Sequence, residues 1–230
     1  LNTFNGVTSV QLILKDVHSD ALEQEEEAKT KIYDHRKKTN ILAQVNDYIK
    51  NSKLSICAFV EDKAILEGLK PFKDICEHIS NRNNAQKSDV LMFFDYPADE
   101  DVMQNLMRSV APDAIHYMKY QSGKYNEELL LKTFSGMIRY TCNTLNGDFN
   151  LERAASALGV NNPVIETLLE MFEDTGMIKI LERKEDSFTI EFLQAVELSK
   201  TLHTMKYAEF VELMNTINDY KNEFMSIDLG

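Results

Sequence analysis

Residues 90–94, Val90-Leu91-Met92-Phe93-Phe94, form an uninterrupted apolar run, and Asp95-Tyr96-Pro97-Ala98-Asp99-Glu100-Asp101 follows it directly. A short apolar run bounded by polar residues is typical of a strand that is buried on both faces of a sheet. Acidic residues favour the first turn of a helix, because negative charge stabilises the positive end of the helix dipole. The stretch therefore predicts a central strand followed by a helix over residues 99–110.

Similar units lie on both sides of this stretch. The predicted elements are a strand at 32–33, a helix at 40–49, a strand at 54–60, a helix at 71–79 and a strand at 114–120. Apolar strands separated by single helices are what a parallel sheet covered on both faces requires. We therefore expect residues 31–123 to form a Rossmann-like α/β domain.

After Gly123 the pattern changes to longer amphipathic helices. The predicted elements are helices at 126–145, 151–158 and 163–174, strands at 177–181 and 188–192, and final helices at 193–202 and 207–223. Two helices joined by a turn and followed by a two-stranded hairpin are the plan of a winged helix. We expect residues 124–230 to form a mainly helical, winged-helix-like domain with C-terminal helices.

The first 30 residues fit neither domain. Residues 8–17 alternate, with Val10, Leu12 and Leu14 on one face, which predicts a strand. Residues 18–30 are acidic and poor in apolar side chains, which is typical of a linker or a solvated helix. A strand with no earlier sheet to join indicates that the chain is a piece of something larger.

Composition bounds the class of protein. Hydrophobic residues make up 43% and charged residues 27% of the 230 residues, which is typical of a folded globular chain. No apolar stretch approaches the roughly 18 residues of a membrane span, and the start lacks the plan of a signal peptide. Three widely spaced cysteines indicate reduced thiols. We expect a soluble, cytoplasmic protein without a membrane partner.

The charge distribution bears on nucleic-acid binding. The net charge is −12, and residues 126–230 carry 9 basic against 18 acidic side chains. The second helix of the predicted winged helix carries no Lys or Arg, and it has four acidic residues: Glu166, Glu170, Glu173 and Asp174. Phosphate contacts need cations, so this charge favours a protein-docking or structural winged helix over a DNA reader.

The densest basic run lies in the first domain. Arg36, Lys37 and Lys38 follow a predicted strand and are the candidate contact for nucleic acid or another anion. A solvated loop is the alternative reading, and the residue pattern alone favours it.

A metal site is the second candidate. Asp95 and Glu61 both follow predicted strands, where open parallel sheets place ligands, and carboxylates can hold a divalent cation. The alternative gives these acids turn and helix-cap roles, with Asp99 as the cap. We favour the alternative, because no second acidic motif completes a two-metal site. GxxxxGK[ST], GxGxxG and HExxH motifs do not occur, so nucleotide-dependent chemistry has no phosphate cradle here. We expect no catalytic residues and no bound cofactor in this chain.

Several segments together resemble one family. They are Phe4-Asn5-Gly6, 10–17, Tyr33-Asp34-His35-Arg36, 54–60, Asp95-Tyr96-Pro97, Phe149-Asn150-Leu151, Leu158-Gly159-Val160 and 171–178. The chain resembles the C-terminal accessory region of RecJ-type single-stranded-DNA-specific exonucleases of low-GC Gram-positive bacteria. In this comparison residues 10–17 are similar to the closing strand of the family's OB-fold.

The resemblance implies a role in DNA repair and recombination. In such enzymes a DHH-type core with manganese or magnesium cleaves single-stranded DNA from its 5′ end. The catalytic residues transfer to no position here, because Asp34-His35-Arg36 lacks the second histidine and the preceding apolar strand. The implied partners are the upstream DHH and OB domains, single-strand-binding protein or a helicase, and single-stranded DNA through the whole enzyme.

Three functions remain open from the sequence. The first is a non-catalytic region that docks partners or supports the nuclease core, and the second is an auxiliary single-stranded-DNA-binding module. The third is an independent metal-dependent enzyme centred on Asp95.

Overall fold

The structure, a computed structural model, describes residues 30–118 and 127–226. The strand predicted at 8–17 and the acidic segment before residue 30 lie outside the described residues, as do the end of the strand predicted to reach residue 120 and the first residue of the helix predicted at 126–145. The described residues form a mixed α/β protein with a five-stranded parallel sheet and a three-stranded antiparallel sheet. We call residues 30–118 the first unit and residues 127–226 the second unit.

The parallel sheet confirms the strands predicted in the first unit. Its strands are β1 (Lys31–Asp34), β2 (Ile56–Phe59), β3 (Ile79–Ser80), β4 (Val90–Phe93) and β5 (Ala114–Tyr117), in the order β1-β5-β4-β2-β3. All residues of β2 and β4 are buried, as expected for central strands covered on both faces. The edge strand β1 pairs with β5 along one side.

Helices cover both faces of this sheet. The helices are α1 (Leu42–Asn51), α2 (Lys63–Leu69), α3 (Lys73–Cys76) and α4 (Glu100–Val110). One apolar core lies under α1, α2 and α3, and the other lies under α4. Phe224 of the second unit packs against the core under α4, so the two units share buried surface.

The prediction of one helix over 71–79 is wrong. The structure has α2 before that range, where Asp62 accepts hydrogen bonds from the backbone N–H groups of Ala64 and Ile65 and so caps the helix. The helix α3 within the range is a single turn, and Ile79 lies in β3, opposite Ala58. Ile79 has the spacing of the predicted helix over 71–79, but in the structure it pairs with Ala58 across the sheet.

The second unit follows the predicted order of elements, except for the additional strand Asp148–Asn150 and the stretch 193–202. It contains α5 (Glu127–Thr144), β6 (Asp148–Asn150), α6 (Leu151–Leu158), α7 (Asn162–Asp174), β7 (Ile178–Arg183), β8 (Ser187–Phe192) and α8 (Tyr207–Ser226). The antiparallel sheet has the order β6-β8-β7. Gly147 precedes β6 with φ +82°, and a Cβ there would lie 2.2 Å from the carbonyl oxygen of Ile190, so a residue with a side chain does not fit.

The helix predicted at 193–202 is wrong. The backbone N–H groups of Leu193 and Gln194 donate to the carbonyl oxygen of Met177, which holds this stretch against the start of β7. A 3₁₀ helix follows at Leu198–His203, where the Lys200 backbone N–H donates to the carbonyl oxygen of Glu197 and the Thr204 backbone N–H donates to that of Thr201. Such bonds three residues apart are typical of the tighter 3₁₀ turn.

Across the described segments, every helix is too short or too polar to cross a bilayer.

Candidate functional site

Asp95 lies at the end of β4 and is fully buried. One carboxylate oxygen accepts hydrogen bonds from the backbone N–H groups of Glu61 at 3.2 Å and Asp62 at 2.8 Å. The other accepts from the Tyr96 backbone N–H at 2.8 Å and from Lys221 Nζ at 3.0 Å. The carboxylate of Asp95, which the sequence suggested as a metal ligand, is therefore paired with Lys221 of α8.

Glu61, at the end of β2, faces a different cation. Its carboxylate accepts from Arg82 Nε at 2.9 Å and Nη2 at 2.6 Å, and from Ser156 Oγ of α6 at 2.9 Å. Arg82 also donates to the carbonyl oxygen of Val160 at 2.8 Å. The pair is almost wholly buried, and it joins the first unit to the α6–α7 turn.

Asp99 caps α4, as the sequence predicts. One of its oxygens accepts from the Val102 backbone N–H at 2.9 Å. The other accepts from the Asn161 side-chain amide at 2.9 Å, and Asn161 itself caps α7. The N-terminus of α7 therefore faces the first unit.

Arg36 belongs to the same contact region. Its guanidinium donates to both oxygens of Asp34, at 2.9 and 2.7 Å, and to the carbonyl oxygen of Phe224. The hydrogen bond from Arg36 holds the pKa of Asp34 below its usual value. Arg36 is only 6% exposed, and the Phe224 ring stacks on Tyr96 at 5.4 Å between centroids. Arg36 thus fixes the end of α8 to the sheet. We call Asp95, Glu61, Asp99 and Arg36, together with their contacts in the second unit, the strand-end interface.

The structure separates the three candidate anion contacts. Lys37 and Lys38 are exposed, whereas Arg36 is buried in the strand-end interface. Lys38 Nζ lies 3.3 Å from Nδ1 of His35. Binding of an anion by Lys37 and Lys38 stays a prediction.

Sequence reasoning missed a cluster of rings beside these lysines. His116 of β5 lies 4.6 Å from Tyr33, 5.2 Å from His35 and 5.9 Å from Tyr48 between ring centroids. Burial, with the nearby His35 and Lys38, lowers the pKa of His116 to about 4. Tyr33 and His116 meet through the pairing of β1 with β5, and Tyr48 reaches His116 from α1; the sequence offered no signal for either contact. We call Tyr33, His35, Lys38, Tyr48 and His116 the β1 shelf.

The helix α7 is largely enclosed by its own unit. Seven of its 13 residues are buried: Val164, Ile165, Thr167, Leu168, Leu169, Met171 and Phe172. Glu170 is paired with Arg183 at 3.0 Å and with Lys206 at 2.9 Å. The sequence showed four unpaired acids, and the structure shows that tertiary contacts neutralise part of that charge. Arg183 also lies 5.2 Å above the Phe188 ring.

Within residues 30–118 and 127–226, no three His, Cys, Asp or Glu side chains are placed to hold a metal ion together. Asp95 faces Lys221 and Glu61 faces Arg82, so the structure does not direct the two candidate ligands at one point. A cavity of about 840 Å³ lies between α1 and α2. Apolar side chains form most of its lining, and Lys38 also lines it.

Comparison with protein-family models, with curated proteins and with solved structures found no match. The geometry of the strand-end interface and of the β1 shelf is therefore the basis for assigning a function.

Proposed function

We propose that the chain is the non-catalytic C-terminal region of a RecJ-type single-stranded-DNA-specific 5′→3′ exonuclease that acts in DNA repair and recombination. In this proposal the first unit is a Rossmann-like domain and the second is a winged helix. The region supports the nuclease core or docks protein partners. The chain itself contributes no catalytic residue and binds no cofactor.

The observation that carries the proposal is the strand-end interface. Open parallel sheets usually bind ligands and metals beyond the carboxyl ends of their strands. Here that place is occupied by the second unit, through Lys221 on Asp95 and Ser156 beside Glu61. A scaffold that fills its own ligand position favours a structural or docking role. It also gives a metal-dependent enzyme centred on Asp95 no support.

The position of α7 supports the same reading. A DNA-reading winged helix inserts its second helix into the major groove, with the N-terminal residues on the bases. In this chain Asn161, at the N-terminus of α7, contacts Asp99 of the first unit. The surface of α7 keeps Glu166 and Asp174 exposed. Both the packing and the charge oppose a DNA-reading role for this helix.

The proposed partners are the upstream DHH and OB domains of the same enzyme, and single-strand-binding protein or a helicase. The proposed location is the cytoplasm. The three cysteines are free thiols, as that location requires.

The test combines cleavage and binding. A 5′-labelled single strand is incubated with manganese and the chain alone, then with a nuclease core that lacks this region, with and without the chain. We expect no cleavage by the chain alone, and binding of the chain to the purified core or to purified single-strand-binding protein. Metal-dependent cleavage by the chain that disappears in Asp95→Asn would overturn the proposal. A chain that binds neither the core nor single-strand-binding protein would also overturn it.

A second function, an auxiliary single-stranded-DNA-binding module, is favoured by one observation. The β1 shelf gathers the exposed rings of Tyr33 and Tyr48 around His116, and the exposed Lys38 contacts His35 of the same cluster. Rings interleaved with cations are what sequence-tolerant binding of single strands uses.

A further inference from the structure

The β1 shelf offers aromatic surface to solvent. Tyr33 of β1 and His116 of β5 are direct partners across the two parallel strands, and Tyr48 comes from α1. Tyr33 is 44% and Tyr48 is 43% exposed. Large aromatic side chains that are not needed to fill a core, and that gather around one ring, provide flat surface for stacking.

A cavity adjoins these rings. Its volume is about 350 Å³, and Tyr33, Tyr48 and His116 line it together with Lys31 and Leu54. This is at the lower end of the volumes that ligand pockets span, about 300–1,000 Å³. The room therefore suits one small planar group.

The segment that contributes Tyr33 and Tyr48 is basic in an acidic protein. Residues 30–55 carry six basic and two acidic side chains, while the whole chain is at −12. Of the two acids, Asp34 is already paired with Arg36. Asp89 and Asp113 also line the cavity, and Asp89 accepts hydrogen bonds from the backbone N–H and hydroxyl of Ser55. Lys31 lines the cavity, and Lys38 contacts His35 of the shelf, so these two lysines are placed to meet a phosphate.

The hydrogen bonds of the shelf determine which ring nitrogen of His35 and of His116 carries the proton. An ammonium group only donates, so Lys38 Nζ donates to His35 Nδ1 at 3.3 Å. His35 then carries its proton on Nε2 and donates to His116 Nδ1 at 3.1 Å. His116 in turn carries its proton on Nε2, which gives the ring a donor for a carbonyl or phosphate oxygen.

We propose that the β1 shelf binds an unpaired nucleotide of single-stranded nucleic acid, with the base stacked on Tyr33 and Tyr48 and the phosphate beside Lys38. The inference rests on the single-strand-binding function described above and names its site. A duplex keeps its bases stacked on one another, so it cannot offer a base face to the shelf. Stacking on rings is tolerant of base identity, so the site has weak sequence preference.

The test is a titration of the chain with a short labelled oligothymidylate, a matched oligouridylate and a matched duplex at low salt. Tyr33→Ala with Tyr48→Ala removes the stacking surface, and we expect at least about tenfold weaker binding of the single strands. The matched control is Tyr140→Ala, which removes a 59% exposed tyrosine of the acidic second unit and leaves binding unchanged. Tyr33→Phe with Tyr48→Phe keeps both rings and retains binding.

Salt dependence tests the position of the phosphate. Lys37→Glu with Lys38→Glu makes the slope of log K against log salt shallower, by about 0.7 for each phosphate that the lysines no longer neutralise. Equal binding by the parent and the Tyr33→Ala, Tyr48→Ala variant overturns the inference, and so does preference for the duplex. Loss of binding only in Arg183→Glu with Lys184→Glu assigns the contact to the β7–β8 hairpin instead. A parent that binds no strand overturns both the shelf and the single-strand-binding function, while the docking function is judged separately by partner binding.

Discussion

The strand-end interface and the β1 shelf lie on the same parallel sheet and use their cations in opposite ways. At the strand-end interface Lys221 and Arg36 are buried against carboxylates, whereas Lys38 of the shelf is exposed and contacts His35. Arg36 and Lys38 are only two residues apart in the sequence. Clustered charge in a sequence therefore does not reveal which side chains bind a partner and which hold the protein together.

The largest expected effect comes from opening the strand-end interface. Lys221→Met leaves the carboxylate of Asp95 buried without its cation, and breaking such a pair costs about 3–5 kcal/mol. Urea unfolding measures the loss of unfolding free energy. The matched control is Lys200→Met, an exposed lysine of the same unit, which changes stability by less than about 0.5 kcal/mol.

A double substitution sharpens this comparison. In Lys221→Met the charged carboxylate of Asp95 is buried without a cation, and Asp95→Asn removes that charge. The double variant should therefore be more stable than the sum of the two single losses predicts. Losses that simply add would show that Lys221 and Asp95 act independently, contrary to the geometry.

The β1 shelf should respond to pH. The folded protein holds His116 neutral, with a pKa of about 4 against an ordinary 6.5, and burial is the main cause. The unfolded chain therefore takes up a proton first, so stability present above pH 6.5 is lost as the pH falls towards 4. Because the ring is partly exposed, we expect a loss of about 2 kcal/mol between these pH values.

Paired variants isolate that loss. The difference in unfolding free energy between pH 7 and pH 4.5 should shrink in His116→Gln and stay the same in His203→Gln, which changes an exposed histidine. Lys38 and His35 face His116 and lower its pKa further, so Lys38→Met should weaken the pH dependence. An unchanged dependence in His116→Gln would place the acid sensitivity elsewhere.

A smaller effect is expected at the cap of α4. Asp99→Ala removes the bond to the Val102 backbone N–H and the bond from Asn161, which costs about 1 kcal/mol for the cap. Asp101 lies exposed in the first turn of the same helix, so Asp101→Ala is the matched control and should cost less. Thermal unfolding of the two variants compares them directly, and equal losses would contradict the cap assignment.

The smallest effect is expected from divalent metal. Manganese should leave the midpoint of thermal unfolding unchanged, because Asp95 and Glu61 already face Lys221 and Arg82. A crystal soaked in manganese should show no ion shared by the two carboxylates. Anomalous density between them would revive the metal-dependent hypothesis.

Much of the fold could be predicted because local pattern and tertiary environment agree. The continuous apolar run at 90–94 lies in a buried central strand, and Asp99 caps the helix that follows. The predicted bounds of α6 match the structure, because Asn150 and Gly159 provide its start and stop signals. Where these levels conflict the prediction is wrong, as at Ile79, which fits a helical stripe but pairs in β3.

The candidate sites were less predictable, because they depend on contacts between distant residues. The acids Asp95 and Glu61 were identified, but the cations that neutralise them come from α8 and from the loop after β3. The β1 shelf joins Tyr33 to His116 across 83 positions, through strand pairing that no local motif encodes. Spacing finds residues on one element and does not find the partner that another element supplies.

Asp95 and Lys221 are far apart in the chain, so during synthesis the aspartate is made well before the lysine that pairs with it. The two residues are 126 positions apart, and at translation rates of about 5–20 residues per second the lysine is made about 6–25 s after the aspartate. Throughout that interval the Asp95 carboxylate has its three backbone N–H donors but lacks its cation, and the Phe224 ring has not yet reached the core under α4. The first unit therefore completes these contacts only after α8 has been synthesised, and a chain that stops before α8 lacks both of them.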